Sequence, residues 1–229
     1  MYTDVFFDLD HTLWDFEKNS RETLTELFFE FGLNDIMDLE APFFIDQYEQ
    51  INKELWNDHL SGGVSREVLR YERFRRVLNA HDIFDEPLIK GVSEYYLEKS
   101  PKKKHLFPGT IKVLEQLSGR YGLHIITNGF TLVQHTKLEE SKLSGFFQNI
   151  ITSEVAGANK PDRLIFDYAL QKASSKSSES IMVGDAFQAD ILGAKSAGMD
   201  QVWFNPKKVV EEGSATYEID HLEKLLDFL

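Results

Sequence analysis

The sequence of 229 residues contains no cysteine and no long apolar run. Without cysteine the chain can form no disulfide, no thiolate zinc site and no cysteine nucleophile, which is compatible with a reducing cytosol. No stretch approaches the roughly 18 consecutive apolar residues that a membrane-spanning helix needs. The N-terminal residues lack a basic segment followed by an apolar run of signal length. We therefore expect a cytoplasmic protein that is not inserted in a membrane.

Basic residues are also scarce, because 25 Lys and Arg stand against 38 Asp and Glu, a formal net charge of −13. Proteins that bind polyanions draw most of their affinity from a basic surface that releases counterions from phosphates. A chain with this balance has no surplus for such a surface, so we expect neither a nucleic acid polymer nor an anionic membrane as partner. A hydrophobic content of 42% is sufficient for a buried core of one or two domains.

Five short apolar runs predict strands that are buried on both faces, because the runs are continuous rather than alternating. They lie at residues 5–9, 123–127, 150–152, 181–184 and 201–204. Helical patterns separate the later runs, with a proline at position 161 opening one helix and residues 189–198 forming another. This alternation indicates an α/β fold with a doubly wound parallel sheet. A stripe of leucines over residues 222–229 predicts a C-terminal amphipathic helix.

About 110 residues separate the first predicted strand from the second, which is far more than one crossover helix requires. Most of this stretch has helical periodicity, and residues 99–105 are typical of a solvated return linker. We therefore predict a core domain of residues 1–15 and 101–229, interrupted after its first strand by an all-helical insertion of residues 16–100.

Polar side chains follow the predicted strands, at the edge where open parallel sheets place their ligand sites. The first strand ends in Asp8-Leu9-Asp10-His11-Thr12. Two carboxylates so close together repel unless a cation or a proton compensates them, and Mg²⁺ is the hard divalent ion that oxygen ligands favour. The alternative for an isolated pair of this kind is a strand end that caps its turn.

Three further groups stand at the later strand ends. Thr127 and Asn128 offer a hydroxyl, an amide and a loosened turn suited to phosphate oxygens. Lys160 precedes the helix opened by proline, so that a cation and a helix N-terminus would meet one anion. Asp185 follows the fourth strand, and Asp190 lies about one turn further on. Taken alone, each group could be structural, as a turn, a surface lysine or a helix cap. Their occurrence together at successive strand ends favours a functional site.

In this order and spacing the four motifs resemble those of the haloacid dehalogenase-like (HAD) superfamily of aspartate-nucleophile phosphohydrolases. The resemblance implies a Rossmann-like core with a helical cap inserted after the first strand. It also implies that Asp8 is the nucleophile that attacks phosphorus and that Asp10 is the general acid and base. Because the dehalogenase branch lacks an acid at the position of Asp10, the resemblance favours a phosphatase. His11 occupies a variable position of the motif, and we assign it no role.

The resemblance further implies a ligand set. Mg²⁺ would be held by Asp8, by the backbone carbonyl of Asp10 and by Asp185, with Asp190 fixing the site from behind or through water. The phosphate oxygens would be bound by Thr127, Asn128 and Lys160.

Closer likeness runs to the pyrimidine 5′-nucleotidase branch, in residues 52–56, 126–131, 166–170 and 190–193. It implies a nucleoside 5′-monophosphate phosphatase that prefers pyrimidines, with specificity supplied by the cap. Asn52, Lys53 and Trp56 are the candidate substrate contacts there, and the loop of residues 57–65 is the candidate element that enters the site. An aromatic residue at helical spacing such as Trp56 is more often part of a core.

Two alternatives stay open at this stage. One is a phosphatase of sugar phosphates or other small phosphate esters, and the other is a non-catalytic phosphate-sensing module. Cleavage of a C–P bond through a Schiff base would need a cap lysine, for which Lys53 is the only notable candidate. In each case the expected partner is a small phosphate ester, and the sequence is compatible with a monomer or a homodimer.

Overall fold

The computed structural model describes residues 1–229, and the chain divides into two compact units. One unit comprises Met1–Phe16 and Lys104–Leu229, and the other comprises Glu17–Lys103. The sequence-based prediction placed the two boundaries after residues 15 and 100. We call the discontinuous unit the core and the inserted unit the cap. No helix in either unit is both long and apolar enough to cross a membrane.

The core is built on a sheet of six parallel strands in the order β3-β2-β1-β4-β5-β6. The strands are β1 Asp4–Phe7, β2 Gly122–Thr127, β3 Asn149–Thr152, β4 Ser180–Gly184, β5 Asp200–Phe204 and β6 Tyr217–Ile219. This is the order of a doubly wound α/β sheet, in which the direction of winding reverses between β1 and β4. The predicted fold class is therefore confirmed.

Both faces of the sheet are buried, as the continuous apolar runs predicted. In β1, Val5 and Phe7 pack into one hydrophobic cluster, whereas Phe6 packs into another. The alternation follows from the two-residue period of a strand, which sends successive side chains to opposite faces. Helices cover the sheet: α6 Thr110–Ser118, α7 Thr131–Glu140, α8 Ser153–Ala156, α9 Arg163–Ala173 and α10 Gly193–Ser196.

The cap is all-helical and has a hydrophobic core of its own. Its helices are α1 Phe16–Glu30, which begins at the last core residue, α2 Leu33–Ile36, α3 Ala41–Leu60, α4 Arg66–Asn79 and α5 Glu86–Lys99. Two of them start with side-chain caps, since Ser65 and Asp85 accept hydrogen bonds from the backbone N–H groups of Val68 and Leu88. Fully buried Phe28, Phe44 and Tyr48 belong to a cluster shared by these helices.

Several local predictions were wrong in detail. The leucine stripe at the C-terminus forms a 3₁₀ helix, Leu222–Asp227, and no α-helix. The predicted helix of residues 189–198 begins as a wide π-helical turn, Phe187–Leu192, before α10. The short edge strand β6 was not predicted, because three residues carry too weak a pattern. The helix predicted to open at the proline, α9, begins at Arg163, two residues beyond it, and Asp162 caps it.

Candidate active site

The predicted acidic residues meet at the carboxyl ends of β1 and β4, the point where the winding of the sheet reverses. β1 pairs with β4 in parallel, with Phe7 opposite Val183. Asp8 follows β1 directly and Asp185 follows β4, so the two carboxylates come from adjacent strand ends. Carboxylate oxygens of Asp8, Asp185 and Asp190 lie within 4.8 Å of one another. This is the crevice in which open α/β sheets bind their ligands.

The ammonium group of Lys160 lies at the centre of this cluster and is not a surface cation. Its Nζ donates to Asp8 Oδ1 at 2.7 Å and to Asp190 Oδ1 at 2.6 Å. A third hydrogen bond, of 2.8 Å, goes to the backbone carbonyl of Ile126. The Lys160 side chain is 3% exposed, so these bonds fix it within the core. Lys160 therefore holds the carboxylate of Asp8 in one position.

Asp190 and Asp185 differ in how much of each carboxylate is engaged. Asp190 is fully buried, and its second oxygen, Oδ2, accepts from the backbone N–H of Ala186 at 3.0 Å. Asp185 is half-buried, and its Oδ1 accepts from the Thr12 hydroxyl at 3.2 Å. The Thr12 hydroxyl in turn accepts from the Asp185 backbone N–H at 3.1 Å. Asp185 thus keeps an oxygen for an incoming cation, whereas both oxygens of Asp190 already have donors.

Asp10 stands apart from this cluster and is held by two residues that the sequence interpretation missed. Lys137 Nζ donates to Asp10 Oδ1 at 2.6 Å, and Gln134 Nε2 donates to Asp10 Oδ2 at 2.9 Å. Both partners lie on α7 and are buried. Their spacing of three residues on a helix is the only signal in the sequence, and it is identical to that of any buried helical face.

Thr127 and Asn128 follow β2 as predicted, and the structure gives each a structural partner. The Thr127 hydroxyl accepts from Gln134 Nε2 at 2.6 Å. The Asn128 amide bonds the backbone of Lys160 through both of its ends, at 3.0 Å to the carbonyl and 2.8 Å from the N–H. Asn128 therefore ties the loop of Lys160 to the end of β2. Their contact with phosphate stays a prediction.

Two glycines are required by the close approach of site side chains. A Cβ at Gly184 would overlap the carboxylate of Asp190, and a Cβ at Gly129 would overlap the amide of Gln134. Each side chain thus crosses a position that only glycine leaves open. His11 has a positive φ of 63° and is exposed, and its ring lies 4.9 Å from that of Phe16.

The candidate cap residues lie in α3. Asn52 is buried, and its Oδ1 accepts from the guanidinium of Arg73 at 3.4 Å. Lys53 is exposed, and Trp56 is half-buried with its ring 5.7 Å from the ring of His59. Contact of Asn52, Lys53 or Trp56 with a substrate stays a prediction. Arg73 was not predicted; it is a buried cation that bonds an amide in place of a carboxylate.

The electrostatics of the core site reflect an excess of negative charge. Burial raises the pKa of Asp8 to about 7, with Lys160 opposing the shift and Asp190 adding to it. Burial together with the charge of Asp8 raises the pKa of Asp185 to about 7. Burial alone would lower the pKa of Lys160, but the Asp190 and Asp8 carboxylates raise it. For Asp10 burial is outweighed by Lys137 and Gln134, so its pKa is lowered.

The same site fits a divalent cation. Four carboxylates, those of Asp8, Asp10, Asp185 and Asp190, face two ammonium groups, those of Lys137 and Lys160. The difference of two negative charges equals the charge of Mg²⁺. The donor atoms are all oxygens, which is the set that Mg²⁺ prefers. Charge and donor type therefore agree with the predicted metal.

A doubly wound core with a helical insertion after β1 and an aspartate cluster at the ends of β1 and β4 defines a class of α/β hydrolytic enzymes. The family model of the haloacid dehalogenase-like hydrolases matches residues 5–204. The chain belongs to this family, as its motifs indicated.

Individual relatives agree with this assignment over the full chain. Pyrimidine 5′-nucleotidase PynA of Streptococcus pneumoniae is 33% identical over all of this chain and 95% of its own length. Glyceraldehyde 3-phosphate phosphatase of Methanothermobacter thermautotrophicus is 32% identical over 96% of this chain and 90% of its own. The crystal structure of Bacillus subtilis YfnB bound to magnesium is 29% identical. It superposes with a TM-score of 0.85 and covers 99% of this chain and 97% of that one.

Proposed function

We propose that the protein is a Mg²⁺-dependent nucleoside 5′-monophosphate phosphatase with a preference for pyrimidine nucleotides. The observation that carries the chemistry is the carboxylate of Asp8, which Lys160 holds at 2.7 Å within the cluster that also contains Asp185 and Asp190. A fixed carboxylate at a strand end is suited to nucleophilic attack on a phosphate ester. The likeness to a pyrimidine 5′-nucleotidase supports the substrate class.

In the first half-reaction an oxygen of Asp8 attacks phosphorus. A bond forms between that oxygen and phosphorus, and the bond from phosphorus to the ester oxygen breaks with its electron pair. The negative charge of the bound phosphate opposes the lowering of the Asp10 pKa by Lys137 and Gln134 and favours protonated Asp10, which gives its proton to the departing alkoxide. The products are the free alcohol and an acyl phosphate on Asp8.

In the second half-reaction the Asp10 carboxylate accepts a proton from water as the water oxygen attacks phosphorus. The bond from phosphorus to Asp8 breaks, releasing inorganic phosphate and restoring the Asp8 carboxylate. Asp10 then carries the proton needed for the next cycle. Its half-exposed position is compatible with both a leaving group and water.

The resemblance of the motifs suggests the remaining roles, and the charge balance of the site is compatible with them. Asp8, Asp185 and the backbone carbonyl of Asp10 would hold Mg²⁺, and Asp190 would orient Lys160 from behind the site. When bound, Mg²⁺ neutralises charge on the phosphoryl oxygens and so lowers the barrier to transfer. Lys160, Thr127 and Asn128 would bind the phosphate oxygens, and Lys160 would contribute the only full positive charge among them.

A phosphate-release panel tests the proposal. With Mg²⁺ present, we expect UMP and dTMP to be hydrolysed with kcat/KM at least tenfold above AMP and GMP, and chelator to abolish every rate. Absence of phosphate release from all nucleotides, sugar phosphates and 4-nitrophenyl phosphate would contradict it and favour a phosphate-sensing module. Such a module has no need of both Asp8 and Asp10, which are present.

One second candidate has a specific observation in its favour. A glyceraldehyde 3-phosphate phosphatase is 32% identical to this chain, nearly as similar as the nucleotidase. The same panel separates the two substrates, because a higher kcat/KM for glyceraldehyde 3-phosphate or ribose 5-phosphate than for UMP would favour a sugar phosphatase.

A further inference from the structure

Asp10 is anchored at both of its carboxylate oxygens by a single face of α7. Lys137 bonds Oδ1 at 2.6 Å and Gln134 bonds Oδ2 at 2.9 Å. Asp10 itself keeps 22% of its side chain exposed, whereas Lys137 keeps 5%. The reactive carboxylate is therefore open to solvent on one side and fixed on the other.

The anchoring residues are in turn fixed by their surroundings. The ammonium group of Lys137 lies 4.4 Å from the centre of the Trp14 ring and 5.4 Å from that of Phe16. Trp14 is fully buried. The aromatic faces attract the cation and exclude water from it, so the ammonium group has few alternative positions.

Gln134 connects Asp10 to a second strand end. Its Nε2 donates to Thr127 at 2.6 Å as well as to Asp10, and its path across Gly129 requires a glycine there. The carboxylate after β1 and the hydroxyl after β2 are thus tied to one amide. A side chain that fills space alone would need neither the two bonds nor the open glycine.

We propose that Lys137 and Gln134 are positioning residues that hold the Asp10 carboxylate in the orientation from which it exchanges protons with the leaving group and with water. This inference rests on the proposed function. Proton transfer requires heavy atoms within hydrogen-bond reach, so a carboxylate free to rotate spends little time in the productive geometry. Neither residue touches the reacting phosphorus in this account; Lys137 acts through Asp10, and Gln134 acts through Asp10 and Thr127.

The test is a double-mutant cycle of wild type, Lys137→Met, Asp10→Asn and the double variant. Methionine keeps an unbranched side chain against Trp14 and removes the ammonium donor together with its charge. We expect Lys137→Met to lower kcat for UMP roughly 10- to 100-fold with KM changed less than threefold. In the Asp10→Asn background, Lys137→Met should lower kcat less than twofold. Lys104→Met, which breaks an exposed ion pair with Glu140, is the matched control and should change neither constant.

A second readout separates the two half-reactions. 4-Nitrophenolate leaves without a proton, so with 4-nitrophenyl phosphate only the hydrolysis of the acyl phosphate needs Asp10. Lys137→Met should therefore release about one nitrophenolate per enzyme in a fast burst, followed by slow turnover. Gln134→Met should show the same pattern with a smaller fall in kcat, since the Lys137 bond remains.

Additive costs in the cycle, a rise in KM with unchanged kcat, or absence of the burst would overturn the positioning role while leaving the proposed function intact. A wild-type protein that hydrolyses no phosphate ester would instead overturn the proposed function, and this inference with it.

Discussion

The core and the cap both bury charge, but they compensate it in different ways. In the core, Lys160 is bonded to the carboxylates of Asp8 and Asp190 at 2.7 and 2.6 Å. In the cap, the guanidinium of Arg73 lies over aromatic rings, 4.6 Å from the centre of Tyr96 and 5.7 Å from that of Tyr48. Its one hydrogen bond is to an amide oxygen, and its buried Nε has no partner.

The two buried cations therefore differ in what surrounds them: Lys160 lies among excess carboxylates, whereas Arg73 packs against aromatic rings. Buried acids that outnumber their cations leave a charge that a further cation can neutralise, which is consistent with the metal site proposed for the core. A guanidinium on aromatic faces is tolerated without an anion, because the ring faces carry negative potential. The charge of Arg73 in the cap therefore needs no bound anion to balance it. The following predictions are ordered from the largest expected effect to the smallest.

Removing the proposed nucleophile should produce the largest change. Asp8→Asn leaves no carboxylate to attack phosphorus, so we expect phosphate release from UMP to fall by about 10⁴-fold or more. The matched control is Asp167→Asn, which removes an exposed carboxylate paired with Arg163 in the same unit. That control should keep the wild-type rate. A turnover of Asp8→Asn within tenfold of wild type would show that another group is the nucleophile.

Removing the central cation of the core should produce the largest loss of stability. Lys160→Met leaves Asp8 and Asp190 buried without a counter-ion. We expect the free energy of unfolding, measured in urea with chelator at pH 8, to fall by roughly 3 kcal/mol or more. Lys176→Met, which breaks an exposed pair with Glu179, should change the free energy of unfolding by less than about 0.5 kcal/mol. Equal effects of the two variants would mean that burial adds nothing to the pairing.

The metal should stabilise the core by an amount that rises with the logarithm of its concentration above Kd. At a Mg²⁺ concentration 100 times Kd, we expect the free energy of unfolding to rise by about 2.7 kcal/mol relative to chelator. Asp185→Asn should remove most of this gain, because it takes away the carboxylate with an oxygen left for the cation. Asp167→Asn again serves as control and should keep the gain. A full gain in Asp185→Asn would place the metal elsewhere.

The cap cation should be replaceable at little cost. Arg73→Met exchanges a buried guanidinium without a carboxylate partner for an apolar chain of similar length. Such exchanges are often neutral, so we expect a change in unfolding free energy within about 1 kcal/mol. Urea unfolding beside Lys160→Met makes the comparison direct. A loss as large as that of Lys160→Met would show that the cap depends on its cation as the core does.

The smallest effect concerns pH. His124 in β2 bonds Asp4 at 3.0 Å and Asn149 at 2.9 Å, and burial lowers its pKa from 6.5 even though Asp4 opposes the shift. Below about pH 6.5 the unfolded chain therefore binds a proton at His124 that the folded chain does not, and the contribution of His124 to stability falls as pH decreases. The lowered pKa of Asp4 acts only near pH 4.

Urea unfolding at pH 7.5 and 5.5 checks this sign. When the pH is lowered from 7.5 to 5.5, the free energy of unfolding should change less favourably in wild type than in His124→Gln. The difference should be less than about 1 kcal/mol. Equal losses would mean that His124 titrates alike in both states. Arg73→Met leaves His124, Asp4 and Asn149 unchanged, so it should show the wild-type dependence.

The sequence predicts the parts of the molecule whose signals are local. Buried strands are continuous apolar runs, and residues that follow parallel strands share one edge of the sheet, so Asp8 and Asp185 could be placed together in advance. The partners of Asp10 could not. Lys137 and Gln134 lie on α7 at ordinary helical spacing, and only the tertiary packing of α7 turns them towards Asp10. The type of the C-terminal helix could not be predicted either. A 3₁₀ helix repeats every three residues, so its apolar stripe is nearly the same as that of an α-helix.

The central claim is that Asp8 carries the phosphoryl group during turnover. Acid quenching of the protein with ³²P-labelled 4-nitrophenyl phosphate and Mg²⁺, followed by peptide mapping, tests it most directly. The account predicts an acyl phosphate on the peptide that contains Asp8, more of it in Lys137→Met, and none in Asp8→Asn or in chelator. Label on a different residue, or rapid turnover with no labelled peptide, would contradict it.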